Sequence, residues 1–354
     1  MACILCLTYV LLMTLSDFLS QWRSASPVME VRTSGSTGAP KIISVEKSRM
    51  LASARMTCDF LGLRPGDNAL LCMPLDYIAG KMMVVRSLER QMRLLCVEPS
   101  GHPLCRSNMQ VLEPAPGCGI PDIDLAAMVP LQVWNTLQVP EEKEALCRHV
   151  RHLIIGGGHI PPELEKELCA LPVQAWSSYG MTETLSHIAL RRMGEKYYSP
   201  LPGIRLEQDG DGCLVIDAPA LCPGRLVTND IAEFSDACHF RILGRRDNTV
   251  CSGGIKIQIE EVEAWLHAHG LRDVAVTWRP DARLGQALVY LVTADMDLSG
   301  LCPADEAHPC PVPGRPDSRY WLPSAIIHVD ALPLTPTGKP DRARAQKIAT
   351  GNNV

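Results

Sequence analysis

The chain has no concentrated stretch of positive charge. Its 34 lysines and arginines are dispersed and outnumbered by 39 aspartates and glutamates, giving a net charge of −5. That argues against a surface built to track nucleic acid. No apolar run reaches the roughly 18 residues that a membrane-crossing helix needs. The run from Ile4 to Leu15 is too short, and it has neither a basic segment before it nor a small-residue cleavage site after it. It is read as a buried strand or helix, or as residues added by an upstream start codon, rather than as a signal peptide. No internal repeat is present. Cysteine is plentiful, at 15, but the count is odd and the residues are scattered singly. That pattern fits reduced thiols in the cytoplasm, not a disulfide framework. Cys302, His308 and Cys310 have no second ligand pair, so they read as a Pro-rich loop rather than a zinc site.

What is present is enough apolar residue for real cores: 46% of 354 residues, consistent with two or three domains. Helices are expected over Asp17–Trp22, Ser48–Leu61, Met82–Leu88 and Glu163–Leu171. Strands are expected over Ala69–Met73, Leu94–Val97 and His152–Ile155. Alternation of this kind signals an α/β domain. Short apolar runs between Arg205 and Asp247, broken by turns such as Asp209-Gly210-Asp211-Gly212, suggest a small antiparallel β subdomain. A helix over Ile259–His269 and strands over Val274–Trp278 and Ala287–Thr293 give the last part an α+β character. Asp295–Ser318 reads as a long surface loop. The chain is therefore expected to divide into residues 1–245 and 246–354, with the boundary at Arg245–Asp247.

The densest chemistry lies in Thr33-Ser34-Gly35-Ser36-Thr37-Gly38-Ala39-Pro40-Lys41. Glycines let backbone N–H groups approach a ligand, and hydroxyls and an ammonium add donors for anionic oxygens. A polyphosphate needs that combination. The run is not a Walker A loop, because its lysine lacks the preceding glycine and the following Ser or Thr. A flexible Ser/Gly linker is the plain alternative.

Order along the chain strengthens the case. Tyr179-Gly180-Met181-Thr182-Glu183, Thr228-Asn229-Asp230, Gly244-Arg245-Arg246-Asp247-Asn248, Ser252-Gly253-Gly254-Ile255-Lys256 and Pro333-Leu334-Thr335-Pro336-Thr337-Gly338-Lys339 come in turn. Together with the first run they resemble the signatures of the adenylate-forming enzymes: acyl-CoA synthetases, luciferases and peptide-synthetase adenylation domains. The resemblance implies a large N-terminal α/β domain with a small β subdomain, and a small mobile C-terminal α+β domain. The phosphate loop begins far earlier here than in typical members, so most of the usual N-terminal subdomain is expected to be missing. Met73-Pro74-Leu75-Asp76-Tyr77-Ile78-Ala79-Gly80-Lys81 and Gly156-Gly157-Gly158-His159-Ile160-Pro161 are most like the short bacterial o-succinylbenzoate–CoA ligases of menaquinone synthesis.

That resemblance implies ATP, Mg²⁺ and coenzyme A as reactants and cofactor, with a small carboxylic acid as the substrate. It implies no nucleic-acid or membrane partner, and leaves self-association open. Lys339 would bridge the carboxylate and the α-phosphate. Thr182 would bond the α-phosphate and Glu183 would hold Mg²⁺. Thr33, Ser34, Gly35, Ser36, Thr37, Gly38 and Lys41 would cradle phosphates. Gly156, Gly157, Gly158, Tyr179 and Gly180 would lie along the adenine, while Asp230 and Arg245 would hold the ribose. Asp247 would be the hinge, and Gly253 and Gly254 would meet the pantetheine arm. For the acyl pocket, Tyr77, Lys81 and His187 are candidates, with His159 a further one. A second substrate carboxylate would need a cation or converging donors there. Alternatives are a generic aryl- or fatty-acyl–CoA ligase, an adenylation enzyme serving a carrier protein, a P-loop kinase or ATPase, and an inactive truncated nucleotide-binding module.

Overall fold

The computed structural model describes residues 13–32, 42–114, 118–158, 160–293, 321–335 and 340–351. The run Thr33–Lys41, His159, all of Asp295–Ser318, Lys339 and the apolar N-terminal stretch up to residue 12 lie outside them. Packing divides the chain into two units: Met1–Arg205 with Asp217–Arg225, and Leu206–Ile216 with Leu226–Val354.

The first unit opens with α1 (Leu15–Arg23), capped by Thr14 and Asp17 in a reciprocal box. An antiparallel hairpin comes next, β1 (Val28–Arg32) with β2 (Ile42–Glu46), in which Arg32 pairs with Ile42. In sequence, the Ser/Gly/Thr run falls between these two strands. Helix α2 (Lys47–Leu61) stops at Gly62, whose φ of 66° lets the Leu63 N–H reach back to the Cys58 carbonyl. Then come β3 (Asn68–Leu71), α3 (Ile78–Arg90), β4 (Arg93–Cys96), α4 (Arg106–Leu112), β5 (Ile123–Met128), α5 (Pro130–Gln138), α6 (Pro140–His149), β6 (Val150–Ile155), α7 (Pro162–Cys169), β7 (Gln174–Gly180), β8 (His187–Arg192) and β9 (Ser199–Pro200). The sheet order is β4-β3-β5-β6-β7-β8-β9. Its first five strands are parallel, and β8 and β9 close it antiparallel.

Parallel strands flanked by helices must be apolar on both faces, and Ile123, Leu125, Ala126, Leu153 and Ile155 are all fully buried. Proline opens α5, α6 and α7, where a missing N–H costs nothing. Helix α3 is apolar around most of its circumference, and every residue from Gly80 to Ser87 is buried. Gly80 is there for lack of space: a Cβ would fall 2.3 Å from the Pro74 carbonyl oxygen.

The second unit holds a four-stranded antiparallel sheet of β10 (Arg205–Gln208), β11 (Cys213–Asp217), β12 (Leu226–Asp236) and β13 (His239–Arg245). A second sheet is formed by β14 (Thr249–Ser252), β15 (Ile255–Gln258), β16 (Val274–Asp281), β17 (Gly285–Thr293) and β18 (Ala325–Val329). Alternation sorts its faces. Val274, Val276, Leu288, Tyr290 and Val292 pack with Val262 and Leu266 of α8 (Ile259–Ala268). Ala275, Val289 and Leu291 pack with Ala345 and Ala349 of α9 (Arg342–Ala349).

The mixed α/β class is as expected. Helix α3 starts four residues earlier than periodicity suggested, because a helix buried nearly all round carries little amphipathic signal. Composition divides the chain at Arg245–Asp247, whereas packing groups β10–β13 with the sheet and helices from Thr249 onward. Packing describes one conformation and a hinge describes motion, so the two divisions answer different questions. Among the described residues, no helix is long and apolar enough to cross a membrane.

Candidate active site

The carboxyl ends of β3, β5, β6 and β7 lie side by side in the first unit. Ligands of open α/β sheets bind at that edge. Strand β6 delivers Gly156-Gly157-Gly158 there. A Cβ on Gly156 would fall 2.3 Å from the Ser178 hydroxyl oxygen, and Gly157 has φ 83°. Packing against Ser178 explains Gly156 and a positive φ explains Gly157, while the Val129 and Pro130 side chains would lie 3.6 and 3.5 Å from a Cβ on Gly157 and Gly158.

Strand β7 delivers Tyr179 and Gly180 to the same edge. Tyr179 is half-buried, its ring tilted against Tyr198 at 6.1 Å. Gly180 pairs with His187, and a Cβ on it would fall 2.3 Å from the Ser186 carbonyl oxygen. Next comes a single 3-10 turn, Thr182–Thr184, with Thr182 half-buried and Glu183 exposed. Thr184, absent from the sequence-based candidates, holds this turn. Its fully buried hydroxyl accepts from the Met181 N–H at 3.0 Å and donates to the Ser186 carbonyl at 2.8 Å. Leu185 comes after it at φ 68°, a region costly for a branched side chain.

The acyl-pocket candidates separate. Tyr77 precedes α3 and is 40% exposed. Lys81 is buried, with its Nζ 3.2 Å from Met13 Sδ. Burial pulls the Lys81 ammonium below its usual range, partly offset by Asp76. His187 sits elsewhere: its Nε2 is 2.9 Å from the Thr57 hydroxyl and its Nδ1 is 3.3 Å from the Ser186 hydroxyl. Burial, and then the charge of Arg86, hold His187 well below the ordinary histidine range. It is therefore neutral near pH 7. It can offer one donor and one acceptor, but not the positive charge that a second substrate carboxylate would need.

The cation beside it is Arg86, which sequence reasoning missed. Its side chain is buried, and it donates to the same Ser186 hydroxyl at 2.7 Å. Its Nε has no partner, and no carboxylate pairs with it among the described residues. Burial pushes its pKa down to about 10, so it stays charged. The Cys58 thiol is pushed up to about 11 by burial and supplies no counter-charge. The available signal was an arginine directly after the apolar run Met82–Val85.

In the second unit, the β12–β13 register sets Asp230 opposite Arg245. Arg245 donates to Asp230 at 3.1 Å and forks onto both oxygens of Asp247 at 2.9 and 2.8 Å. Asn229 lies within β12 and accepts from Arg246 at 2.8 Å. Gly253 and Gly254, with φ 58° and 85°, form the two-residue connection of the β14–β15 hairpin. Tight hairpins need positive φ there, so that turn accounts for both glycines.

His152 and His187 set the acid response of the first unit. Both ring nitrogens of His152 face donors, Arg151 Nε at 3.1 Å and Trp176 Nε1 at 3.4 Å, and burial pulls its pKa down to about 4. Both histidines titrate near 6.5 when unfolded, so folding keeps them neutral and the unfolded chain binds more protons below that value. Stability is therefore complete above pH 6.5 and is lost as pH falls, by about 1.4 kcal/mol per unit for each histidine. Denaturant unfolding between pH 7 and pH 5 should show this slope, and His187→Gln should reduce it. A flat profile would mean that the two imidazoles are charged in the fold.

Residues 21–219 match the model of the AMP-binding enzyme family. The chain belongs to that family. It is 26% identical over 287 residues to 2-succinylbenzoate–CoA ligase of Haemophilus influenzae, covering 75% of this chain and 59% of that one. It is equally 26% identical over 339 residues to a long-chain-fatty-acid–CoA ligase of Mycobacterium tuberculosis, covering 87% and 64%. The chain thus spans about three-fifths of the length of these curated relatives. A crystal structure of an acyl-CoA synthetase (AMP-forming)/AMP-acid ligase II-like protein from Dyadobacter fermentans is 32% identical, with a TM-score of 0.59. It covers 94% of this chain and 92% of its own.

Proposed function

We propose that the chain is an AMP-forming acid–CoA ligase and that its acid is o-succinylbenzoate. In the first half-reaction a carboxylate oxygen attacks the α-phosphorus of ATP, forming the acyl–phosphate bond and releasing pyrophosphate. In the second, the coenzyme A thiol loses its proton and attacks the acyl carbon, and AMP leaves. Adenylation is needed because a carboxylate otherwise has only oxide to expel.

The first step concentrates charge on phosphate oxygens, so placed donors and cations are its main source of rate. Thr182 would bond the α-phosphate. The run Thr33–Lys41 would hold the outer phosphates, and Asp230 with Arg245 the ribose. Among the described residues, no group of three or more His, Cys, Asp or Glu gathers to hold a metal. A Mg²⁺ ion fits nonetheless, because it needs one or two carboxylates and takes its other ligands from phosphates and water. Glu183, exposed at the sheet edge, would be that carboxylate, and the ion would neutralise phosphate charge.

The observation that carries the choice of acid is Arg86. A buried guanidinium without a carboxylate is costly unless a ligand supplies one. o-Succinylbenzoate has a second carboxylate to offer; a fatty acid has none. The fatty-acyl reading stays in play on equal identity to such a ligase. Incubation with ATP, coenzyme A and each acid, read as AMP, pyrophosphate and thioester, decides between them. Release of ADP instead would overturn both.

Asp247 would be the hinge on which the segment carrying Lys339 gives way to the Gly253-Gly254 turn. Proline fixes φ near −65° and would lock it. Asp247→Pro should keep adenylation and lose thioester formation, whereas Asp247→Ala, which removes only the carboxylate, should keep both. Full thioester turnover in the proline variant would place the hinge elsewhere.

A further inference from the structure

The side chain of Gln258 crosses the proposed hinge. Its Nε2 donates to the Arg245 carbonyl at 2.6 Å and to Glu260 Oε2 at 2.9 Å. Its Oε1 accepts from the Thr249 hydroxyl at 2.8 Å. Arg245 precedes Asp247; Thr249, Gln258 and Glu260 all come after it. Of these three bonds, the one to Arg245 alone spans the hinge.

The amide has a single workable orientation. Both of its N–H groups meet oxygens that only accept, and its carbonyl meets a hydroxyl, so a flipped amide would set oxygen against oxygen. The partners are themselves fixed. Thr249 and Gln258 are paired across β14 and β15, and the other oxygen of Glu260 takes the Asn248 amide at 2.5 Å. Room for the side chain comes from Gly244, where a Cβ would lie 2.3 Å from Gln258 Nε2 and 2.7 Å from its Cγ. The Gln258 amide is thus the shorter of two side-chain contacts across the hinge, the Thr249 hydroxyl reaching the same Arg245 carbonyl at 3.4 Å, and a glycine opposite admits it.

We propose that Gln258 is a positioning residue for the hinge: its amide holds the Arg245 carbonyl and so sets the balance between the two hinge conformations. The proposal rests on the hinge assigned to Asp247 above. Rotation at Asp247 carries Gln258, Thr249 and Glu260 together and leaves Arg245 behind. It therefore breaks the Arg245 bond and keeps the other two. Without the latch, the conformation described here loses weight against the other. The half-reaction that uses it slows, and the other does not.

The test compares the two half-reactions, adenylation by pyrophosphate release and thioester formation from supplied acyl-adenylate, in the full chain. Gln258→Leu keeps the bulk and removes the amide. The ratio of the two rates should shift by about two- to tenfold, the usual worth of a neutral hydrogen bond. Gln258→Glu should shift it at least as far, because a carboxylate would face the Arg245 carbonyl and Glu260. Thr249→Val, which loosens the amide and removes only the longer 3.4 Å contact to Arg245 while keeping the 2.6 Å amide bond, should shift it less and in the same direction. Amide hydrogen exchange at residues 246–249 should speed up in Gln258→Leu and Gln258→Glu. An unchanged rate ratio in Gln258→Leu, with both half-reactions intact or lowered equally, overturns the latch. If Asp247→Pro still separates the half-reactions in that case, the hinge stands and only the latch fails. If Asp247→Pro separates nothing, the hinge reading itself has failed.

Discussion

Lys339→Ala should lower adenylation by about 10² to 10³ and leave thioester formation from supplied acyl-adenylate nearly intact. The basis is its place at the end of Pro333-Leu334-Thr335-Pro336-Thr337-Gly338-Lys339. Removing one donor aimed at developing charge costs roughly 3–4 kcal/mol in such sites. Lys339 lies outside the described residues, but both flanks of its segment are anchored. Leu334 and Pro340 form an antiparallel bridge, and the Asp341 N–H donates to the Pro333 carbonyl at 2.9 Å. Arg342 then forks onto Glu263 of α8 with two contacts of 2.6 Å. Circular dichroism of the variant should match the parent. An equal fall in both half-reactions with an unchanged fold would remove Lys339 from the adenylation step.

The motifs were legible because each combines residue types that chemistry restricts. Tyr179-Gly180-Met181-Thr182-Glu183 is an example: its glycine has no room for a side chain, and its Thr and Glu sit on the turn just past the strand. The opposition of Asp230 and Arg245 was legible only as a shared role. Their contact depends on the β12–β13 register, which no local pattern fixes. Strand β5 and helices α4 to α6 went unassigned, since fully buried and short elements lack a clean period. Lys81 and His187 were proposed from nearness in sequence to two motifs. Nearness in sequence carries no information about burial, and burial is what makes His187 neutral. Arg86 escaped because an arginine in a helix is exposed far more often than not. Only tertiary packing reveals that this one is enclosed without a carboxylate among the described residues.

That enclosure yields the sharpest test of the substrate. With the diacid, Arg86→Met should cost about 2–5 kcal/mol in kcat/KM, as expected when one partner of a buried charge pair is removed. Methionine is unbranched and fits irregular space, so folding should survive, and thermal melting checks this. Esterifying only the aromatic carboxylate should cost the parent enzyme a comparable amount, because Arg86 would then stay unpaired. The same ester should lose little further in Arg86→Met, so the variant gains relative activity toward it. Lys81→Met should do less, since Asp76 already offsets part of its charge. If Lys81→Met instead carries the loss and Arg86→Met does not, Lys81 holds the second carboxylate and Arg86 only braces Ser186. If benzoate or a fatty acid turns over as fast as the diacid, no second carboxylate is recognised, and the fatty-acyl or general aryl ligase reading replaces this one.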